Sequence, residues 1–239
     1  MRYAILWLSF FFLIFQQKGH AQSMYYIKLG PTVGFQKWND YGKRSPLYKY
    51  HVALMVENGD VEEKYGFFAS LGYHAKGSAI RFGSYISSTG QNIPVRTFEN
   101  LFGNLSLSLG LKSKKPFVNN SQYYYGLGVR GDYTVHTKLE VFGYPEDAIK
   151  RFNYGLWLGG GIEFPFASQR FILELSVSPD ISKQVIVEAY RYKDPITGLI
   201  DFVPSQRQTN TAMELSLGIQ FWGRPPVEME YEEEELQEN

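Results

Sequence analysis

The sequence predicts an all-β chain closed into an eight-stranded antiparallel up-and-down transmembrane β-barrel. Three observations carry that prediction. Apolar and polar residues alternate with period two in stretches running from residue 24 to residue 222. The polar face of the alternation is crowded with Gly and Ser, where a water-facing sheet would carry Lys, Glu and Thr. Aromatic residues collect near the proposed strand ends, where flat amphipathic rings settle at a lipid–water boundary.

Composition narrows the class. With 239 residues and no linker-like stretch, one large domain is expected. Charged residues make up only 20% of the chain, too few for long solvated helical faces, while Tyr and Phe are spread throughout. The formal net charge is zero, so the total implies neither bulk nucleic-acid binding nor a strongly acidic partner. Cysteine is absent, which excludes disulfides, thiol catalysis and attachment through a lipobox.

The elements follow in chain order. Met1-Arg2-Tyr3, an apolar run over 4–15 and Gly19-His20-Ala21 read as a signal peptide over residues 1–21, cleaved after Ala21. The run falls short of the roughly 20 apolar residues that span a bilayer. The barrel is expected over 22–222, its first strands at 24–38, 47–57 and 64–77. The clearest alternation lies over 101–111, where Leu101, Leu105, Leu107, Leu109 and Leu111 share one parity and Asn104, Ser106, Ser108 and Gly110 the other. Over 123–136, Tyr123, Tyr125, Leu127, Val129, Tyr133 and Val135 oppose Tyr124, Gly126, Gly128, Arg130, Asp132, Thr134 and His136. Over 153–164, Tyr154, Leu156, Leu158, Ile162 and Phe164 oppose Asn153, Gly155, Gly159, Gly161 and Glu163, with Trp157 a bulky exception. Stretches 169–180 and 206–222 complete the eight, the seventh running on through Val185, Val187 and Tyr190 above the membrane.

With the N-terminus in the periplasm, connections at 39–46, 78–97, 138–150 and 193–205 face outside, and the shorter ones near 58–63, 112–121 and 165–168 face the periplasm. Gly223-Arg224-Pro225-Pro226 stops the last strand. Residues 223–239 carry seven Glu and read as an acidic, disordered periplasmic tail.

Alternation alone also fits a lipocalin-like soluble barrel or a sandwich with its apolar face inward. The polar face decides, because its small residues suit the cramped inside of a narrow membrane barrel. Charged residues of the same parity, Lys28, Arg130, Asp132, Glu163, Glu174 and Glu214, carry both signs. They are expected to neutralise one another as a lumen charge network, since buried ions need partners.

Leu71-Gly72-Tyr73-His74-Ala75-Lys76-Gly77-Ser78-Ala79, Tyr124-Tyr125-Gly126-Leu127-Gly128-Val129-Arg130-Gly131-Asp132-Tyr133, Asn153-Tyr154-Gly155-Leu156-Trp157-Leu158-Gly159-Gly160-Gly161-Ile162-Glu163 and the final strand resemble the PorT-like outer-membrane β-barrel domain common in bacteroidete bacteria. The resemblance covers nearly the whole mature chain and implies an eight-stranded barrel in the cell outer membrane. It implies no shared catalytic residues, and PorT itself is linked to type IX secretion.

Candidate chemistry is sparse. His51, His74 and His136 fall on the inward parity toward the extracellular end, with His51 and His74 at similar height on paired strands. Such a mouth cluster can bind a transition metal or share a proton, or simply fill the lumen with hydrogen-bonded imidazoles. Ligand motifs of fixed spacing are missing, so no metal site, cofactor or catalytic set is assigned. Ser70 and Asp132 share the histidines' parity, which leaves an enzyme with a His-containing site at the mouth as the alternative. Arg130-Gly131-Asp132 spells an adhesion tripeptide whose charged members point into the barrel.

The main expectation is a non-enzymatic envelope scaffold or interaction partner, with secretion association as one version of it. Its expected partners are outer-membrane lipid, lipopolysaccharide phosphates met by Lys43, Arg44, Arg81 and Arg96, the barrel-assembly machinery at the last strand, and a basic periplasmic protein at the tail. The mature chain is expected to fractionate with the outer membrane and to migrate anomalously on unheated gels. Recovery from soluble periplasm without detergent would contradict this.

Overall fold

The computed structural model describes residues 23–39, 44–58, 64–86, 90–139, 148–166, 169–193 and 200–223. The proposed signal peptide, Lys43 and the tail beyond residue 223 lie outside them. Eight long strands form one sheet: β1 (Met24–Trp38), β2 (Leu47–Glu57), β3 (Tyr65–Phe82), β4 (Arg96–Pro116), β5 (Gln122–Leu139), β6 (Phe152–Phe166), β7 (Gln169–Pro179) and β8 (Gln206–Trp222). Each is antiparallel to the next, and β8 pairs back onto β1 from Tyr25↔Trp222 to Trp38↔Gln208, so the sheet closes into a ring. Closure removes the unpaired edges that an open sheet would expose to hydrocarbon.

The polarity of this ring is inverted relative to a soluble barrel. Along β6 the outward residues Phe152, Tyr154, Leu156, Leu158, Ile162 and Phe166 are exposed, and the inward residues Asn153, Gly155, Trp157 and Glu163 are buried. The same holds for Leu105, Leu107, Leu109 and Leu111 against buried Ser106, Ser108 and Lys112 on β4. Aromatics bracket an aliphatic belt, with Tyr154 near one rim and Phe164 near the other. At a rise of about 3.4 Å per residue and a tilt of about 40°, that interval crosses roughly 26 Å, close to the apolar height of an outer-membrane barrel.

The strands overrun the sequence-based limits at both ends. β4 continues to Pro116 where 112–121 was expected to be a connection, because Lys112 and Lys114 keep the inward parity. β3 and β4 stay paired out to Phe82↔Arg96 inside the expected connection 78–97. Alternation fades there because Leu47, Ala75, Ala79 and Leu101 form a buried apolar cluster. Past Leu47, the first residue of β2, β1 and β3 approach directly. A Cβ on Gly34 would lie 2.9 Å from the Gly77 backbone, and Gly77 has φ +142°, which favours glycine.

Val185–Val187 pairs with Gln206–Gln208 of β8, so β7 does resume above Pro179. Tyr190 belongs instead to a separate hairpin, Tyr190–Lys193 with Ile200–Val203. The even strand count leaves both ends of the barrel chain on one side, here named the terminal end; the opposite side is the loop end.

Trp157, the exception in the alternation, is an inward residue. Its ring packs edge-on against Phe68 at 4.7 Å within a cluster of Met24, Tyr26, Met55, Tyr124 and Ile172. The neighbouring inward glycines make room for it: a Cβ on Gly159 would sit 2.4 Å from the indole. Gly159→Val should therefore lower stability by about 1–3 kcal/mol, as overpacking does. Trp157→Ala in the same chain should restore part of the loss, read as the urea midpoint of the gel-mobility shift. Equal midpoints for Gly159→Val and the unmodified chain would refute this packing.

Candidate functional site

All six residues expected to form the lumen charge network are inside the barrel and buried. They do not form a single cluster. Alternation places Lys28 and Glu174 on strands separated only by β8, and Lys28 Nζ donates to Glu174 Oε1 at 2.8 Å. Glu174 Oε2 accepts from the Tyr124 hydroxyl at 2.6 Å. Glu163 lies in a cluster nearer the terminal end, where it faces Lys114 at 3.1 Å, Lys112 at 3.8 Å and Arg170 at 3.9 Å. Glu57 completes that cluster, pairing with Lys112 at 2.8 Å and with Lys114. Lys112 also stands 4.2 Å above the Tyr124 ring, so its charge meets carboxylates on one side and an aromatic face on the other.

Nearer the loop end, Lys76 pairs with Asp132 and Asp180, and Arg130 lies 3.4 Å from Asp132 and 3.7 Å from Asp180. Arg130 and Asp132 are thus committed to the lumen, which removes the adhesion tripeptide from any accessible surface. Sequence reasoning missed Glu57, Lys76, Lys112, Lys114, Arg170 and Asp180. Each continues the inward parity of its strand; Lys112 and Lys114 lay beyond the expected strand limit at 111, while Glu57, Lys76, Arg170 and Asp180 stood within the expected stretches 47–57, 64–77 and 169–180, where alternation is weaker. Among the described residues the lumen holds six cations (Lys28, Lys76, Lys112, Lys114, Arg130, Arg170) and six carboxylates (Glu57, Asp132, Glu163, Glu174, Asp180, Glu214).

Two of the three histidines meet as expected. His51 and His74 are direct partners across β2 and β3. One His51 nitrogen is 3.0 Å from the Thr32 hydroxyl and the other 2.9 Å from that of Ser216. His74 sits between carboxylates, Nδ1 at 2.6 Å from Glu214 and Nε2 at 3.3 Å from Asp132. His136 does not join them. Pairing runs Gly103↔His136 but Asn104↔Thr134, so Val135 is an extra residue on β5. This bulge reverses the parity above it and turns His136 to the exposed side.

An uncharged layer closes the lumen toward the loop end. Trp38 Nε1 donates to Gln36 at 2.6 Å, Gln36 to Asn210 at 2.9 Å and Asn210 to Gln184 at 3.2 Å. Gln184 donates to Thr134 at 3.1 Å, and Thr134 to Asn104 at 2.7 Å. The chain of bonds thus links β1, β8, the segment after β7, β5 and β4. Phe102, Ala148 and Val185 form an apolar cluster in the same region.

Between these layers remains a cavity of about 30 Å³, lined by His51, His74, Ser70, Arg130, Glu214 and Ser216 among others. That is room for about one or two waters. Ser70 and Asp132 both line the lumen, as their parity required. The arrangement offers a histidine flanked by acids beside a cavity that, among the described residues, is far smaller than the roughly 300–1,000 Å³ of an ordinary ligand site.

An apolar exterior around a closed, charge-filled interior is workable only in lipid. The chain is an outer-membrane β-barrel. No protein-family profile and no curated protein matches it. Among solved structures it is similar to the outer membrane protein OprG from Pseudomonas aeruginosa, with 14% identity, 85% of this chain and 98% of that chain covered, and a TM-score of 0.45. It is also similar to Ail, the attachment invasion locus protein of Yersinia pestis, with 14% identity, coverage of 85% and 100%, and a TM-score of 0.39. The outer membrane protease OmpT from Escherichia coli has 12% identity, coverage of 86% and 99%, and a TM-score of 0.39.

Removing one partner from a buried ion cluster costs about 3–5 kcal/mol, because the charges left behind stay desolvated. Lys112→Met should destabilise the barrel by about that amount by removing a cation that Glu57 and Glu163 share and leaving Glu57 to Lys114 alone. The pair Lys112→Met with Glu57→Gln should recover much of it in a urea titration. A single substitution as benign as the double would show that the cluster carries no such coupling.

Proposed function

We propose that the protein is a non-enzymatic scaffold or interaction partner of the cell envelope, working through what it presents at its two rims rather than through its lumen. The observation that carries this reading is the filling of the lumen. Two ion clusters, an aromatic cluster and a layer of amide hydrogen bonds succeed one another along the axis, and the cavity lined by His51 and His74 among them is water-sized. An eight-stranded ring leaves an interior just wide enough for side chains, and here they occupy it.

In this reading the loop end faces outside. Arg81 and Arg96 are exposed on the paired extension of β3 and β4, suited to lipopolysaccharide phosphates. Arg44 contributes less, since its guanidinium stacks 3.9 Å over the Trp38 ring. The closing strand Gln206–Trp222, ending in Phe221 and Trp222, serves the barrel-assembly machinery, and the acidic residues 223–239 attract a basic periplasmic protein. The resemblance to PorT-like barrels is compatible with a secretion-associated scaffold. A second reading, an enzyme at the mouth, is favoured by one observation, the placement of His74 between Asp132 and Glu214.

The scaffold reading predicts that the purified chain forms no large stable pores in planar bilayers. It also predicts that deleting residues 223–239 leaves the gel-mobility shift intact and weakens salt-sensitive capture of a basic periplasmic protein. The expected capture declines as the Debye length falls from about 10 Å at 0.1 M to about 3 Å at 1 M. Sustained large pores, or capture indifferent to both truncation and salt, would overturn it. Turnover abolished by His74→Gln would favour the enzyme instead.

A further inference from the structure

The loop-end rim holds a feature that the lumen and the β3–β4 extension do not use. On β1 the outward residues are apolar from Tyr25 to Phe35, and the next outward residue, Lys37, is exposed and charged. On β8 the outward residues Met213, Leu215 and Leu217 lie in the apolar belt, and Arg207, on the same parity, is exposed beyond them. Lys37 pairs with Thr209, and Trp38 with Gln208, so Lys37 and Arg207 are diagonal neighbours on the outer face of the β1–β8 seam. Such diagonals are about 7–8 Å apart, a separation that two long cationic side chains can close around one shared anion.

Among the described residues neither is held in an ion pair, with Glu188, two residues beyond Arg207's partner Ile186, the carboxylate nearest in register. The Asn39 side chain is engaged with backbone, accepting from Arg207 N at 2.7 Å and donating to Ser205 O at 2.9 Å. Thr209 and Thr211, the outward residues between Arg207 and the belt, are uncharged. Further along the rim, Arg151 is exposed directly beside Phe152. A cation at this height faces lipid headgroups, since it stands outside the wall at the edge of the hydrocarbon. Lys supplies a point charge and Arg a planar fork, both suited to phosphate oxygens.

We propose that Lys37 and Arg207 form a lipid-phosphate clamp on the β1–β8 seam, with the phosphorylated glucosamine headgroup of an outer-leaflet glycolipid as its ligand and Phe35 against the acyl chains below. The proposal rests on the reading that the loop end faces outside. The clamp lies on the seam where first and last strands join, so its occupant also bridges the closure of the barrel.

The test uses the full mature chain in nanodiscs and measures binding of bisphosphorylated lipid A. The comparison ligands are lipid A stripped of phosphate, phosphatidylglycerol and inorganic phosphate. Lys37→Gln with Arg207→Gln should weaken bisphosphorylated lipid A by at least about tenfold at low salt, given the attraction of each basic residue near an anionic surface. Stripped lipid A should bind the unmodified chain as weakly as the variant does. Lys64→Gln with Lys115→Gln, at the terminal end, should leave affinity unchanged. Retention of the gel-mobility shift shows that each variant folds. Unchanged affinity in the rim variant, equal loss from the terminal-end variant, equal binding of stripped lipid A or phosphatidylglycerol, or displacement by equimolar inorganic phosphate would overturn the clamp. Labelling of Glu188→Cys on intact cells separates the two readings. Label excluded from the outside sinks the topology and the clamp together, whereas label admitted with unchanged affinity sinks the clamp alone.

Discussion

The structure depends on mutual neutralisation inside a ring that water does not fill. A membrane barrel turns its apolar residues outward, so charged residues between its two rims have nowhere to go but inward, where an unpaired ion is far more costly than in water. Six cations and six carboxylates meet that constraint among the described residues. They are partitioned by strand position. Glu57 and Glu163 gather Lys112, Lys114 and Arg170, while Asp132 and Asp180 gather Lys76 and Arg130. Each cluster joins strands that are not neighbours in the sheet, so the ion pairs brace the ring across its diameter as backbone hydrogen bonds brace it around its circumference.

Shape follows from the same constraint. A narrow interior cannot hold long charged side chains at every level, and the levels between clusters are built by setting one large ring against several missing side chains. Trp157 lies over Gly159, and Phe68 lies close to Gly110, where a Cβ would come within 2.6 Å of its ring. The small residues on the polar face are therefore spaces reserved for particular aromatic neighbours as much as signs of a cramped lumen.

The eight strands, their order and the inward placement of Lys28, Arg130, Asp132, Glu163, Glu174 and Glu214 were legible in the alternation, because period two records which face each side chain takes. The pairing of His51 with His74 followed from the same parity and the position of one turn. Lys112 and Lys114 were lost because strand ends are hard to place where alternation passes into charged segments, and Glu57 because its stretch alternates weakly, with Lys49 and His51 on the same face as Leu47 and Met55. His136 was misassigned for a different reason: a single-residue bulge at Val135 inverts every inference above it and leaves no mark in composition. The amide layer was invisible, since Gln184 comes from a segment that returns over the lumen after β7 has ended, and nothing local to it announces that return.

The amide layer also sets which disturbances can reach the interior from the loop end. Its side chains, Trp38, Gln36, Asn210, Gln184, Thr134 and Asn104, are held by bonds between neutral groups that neither gain nor lose a proton over the range in which carboxylates and imidazoles do. Acid or salt at that rim therefore leaves these bonds in place while it alters charges exposed above them. The ion clusters beneath are thus set apart from the chemistry of that surface by a partition with no ionic parts.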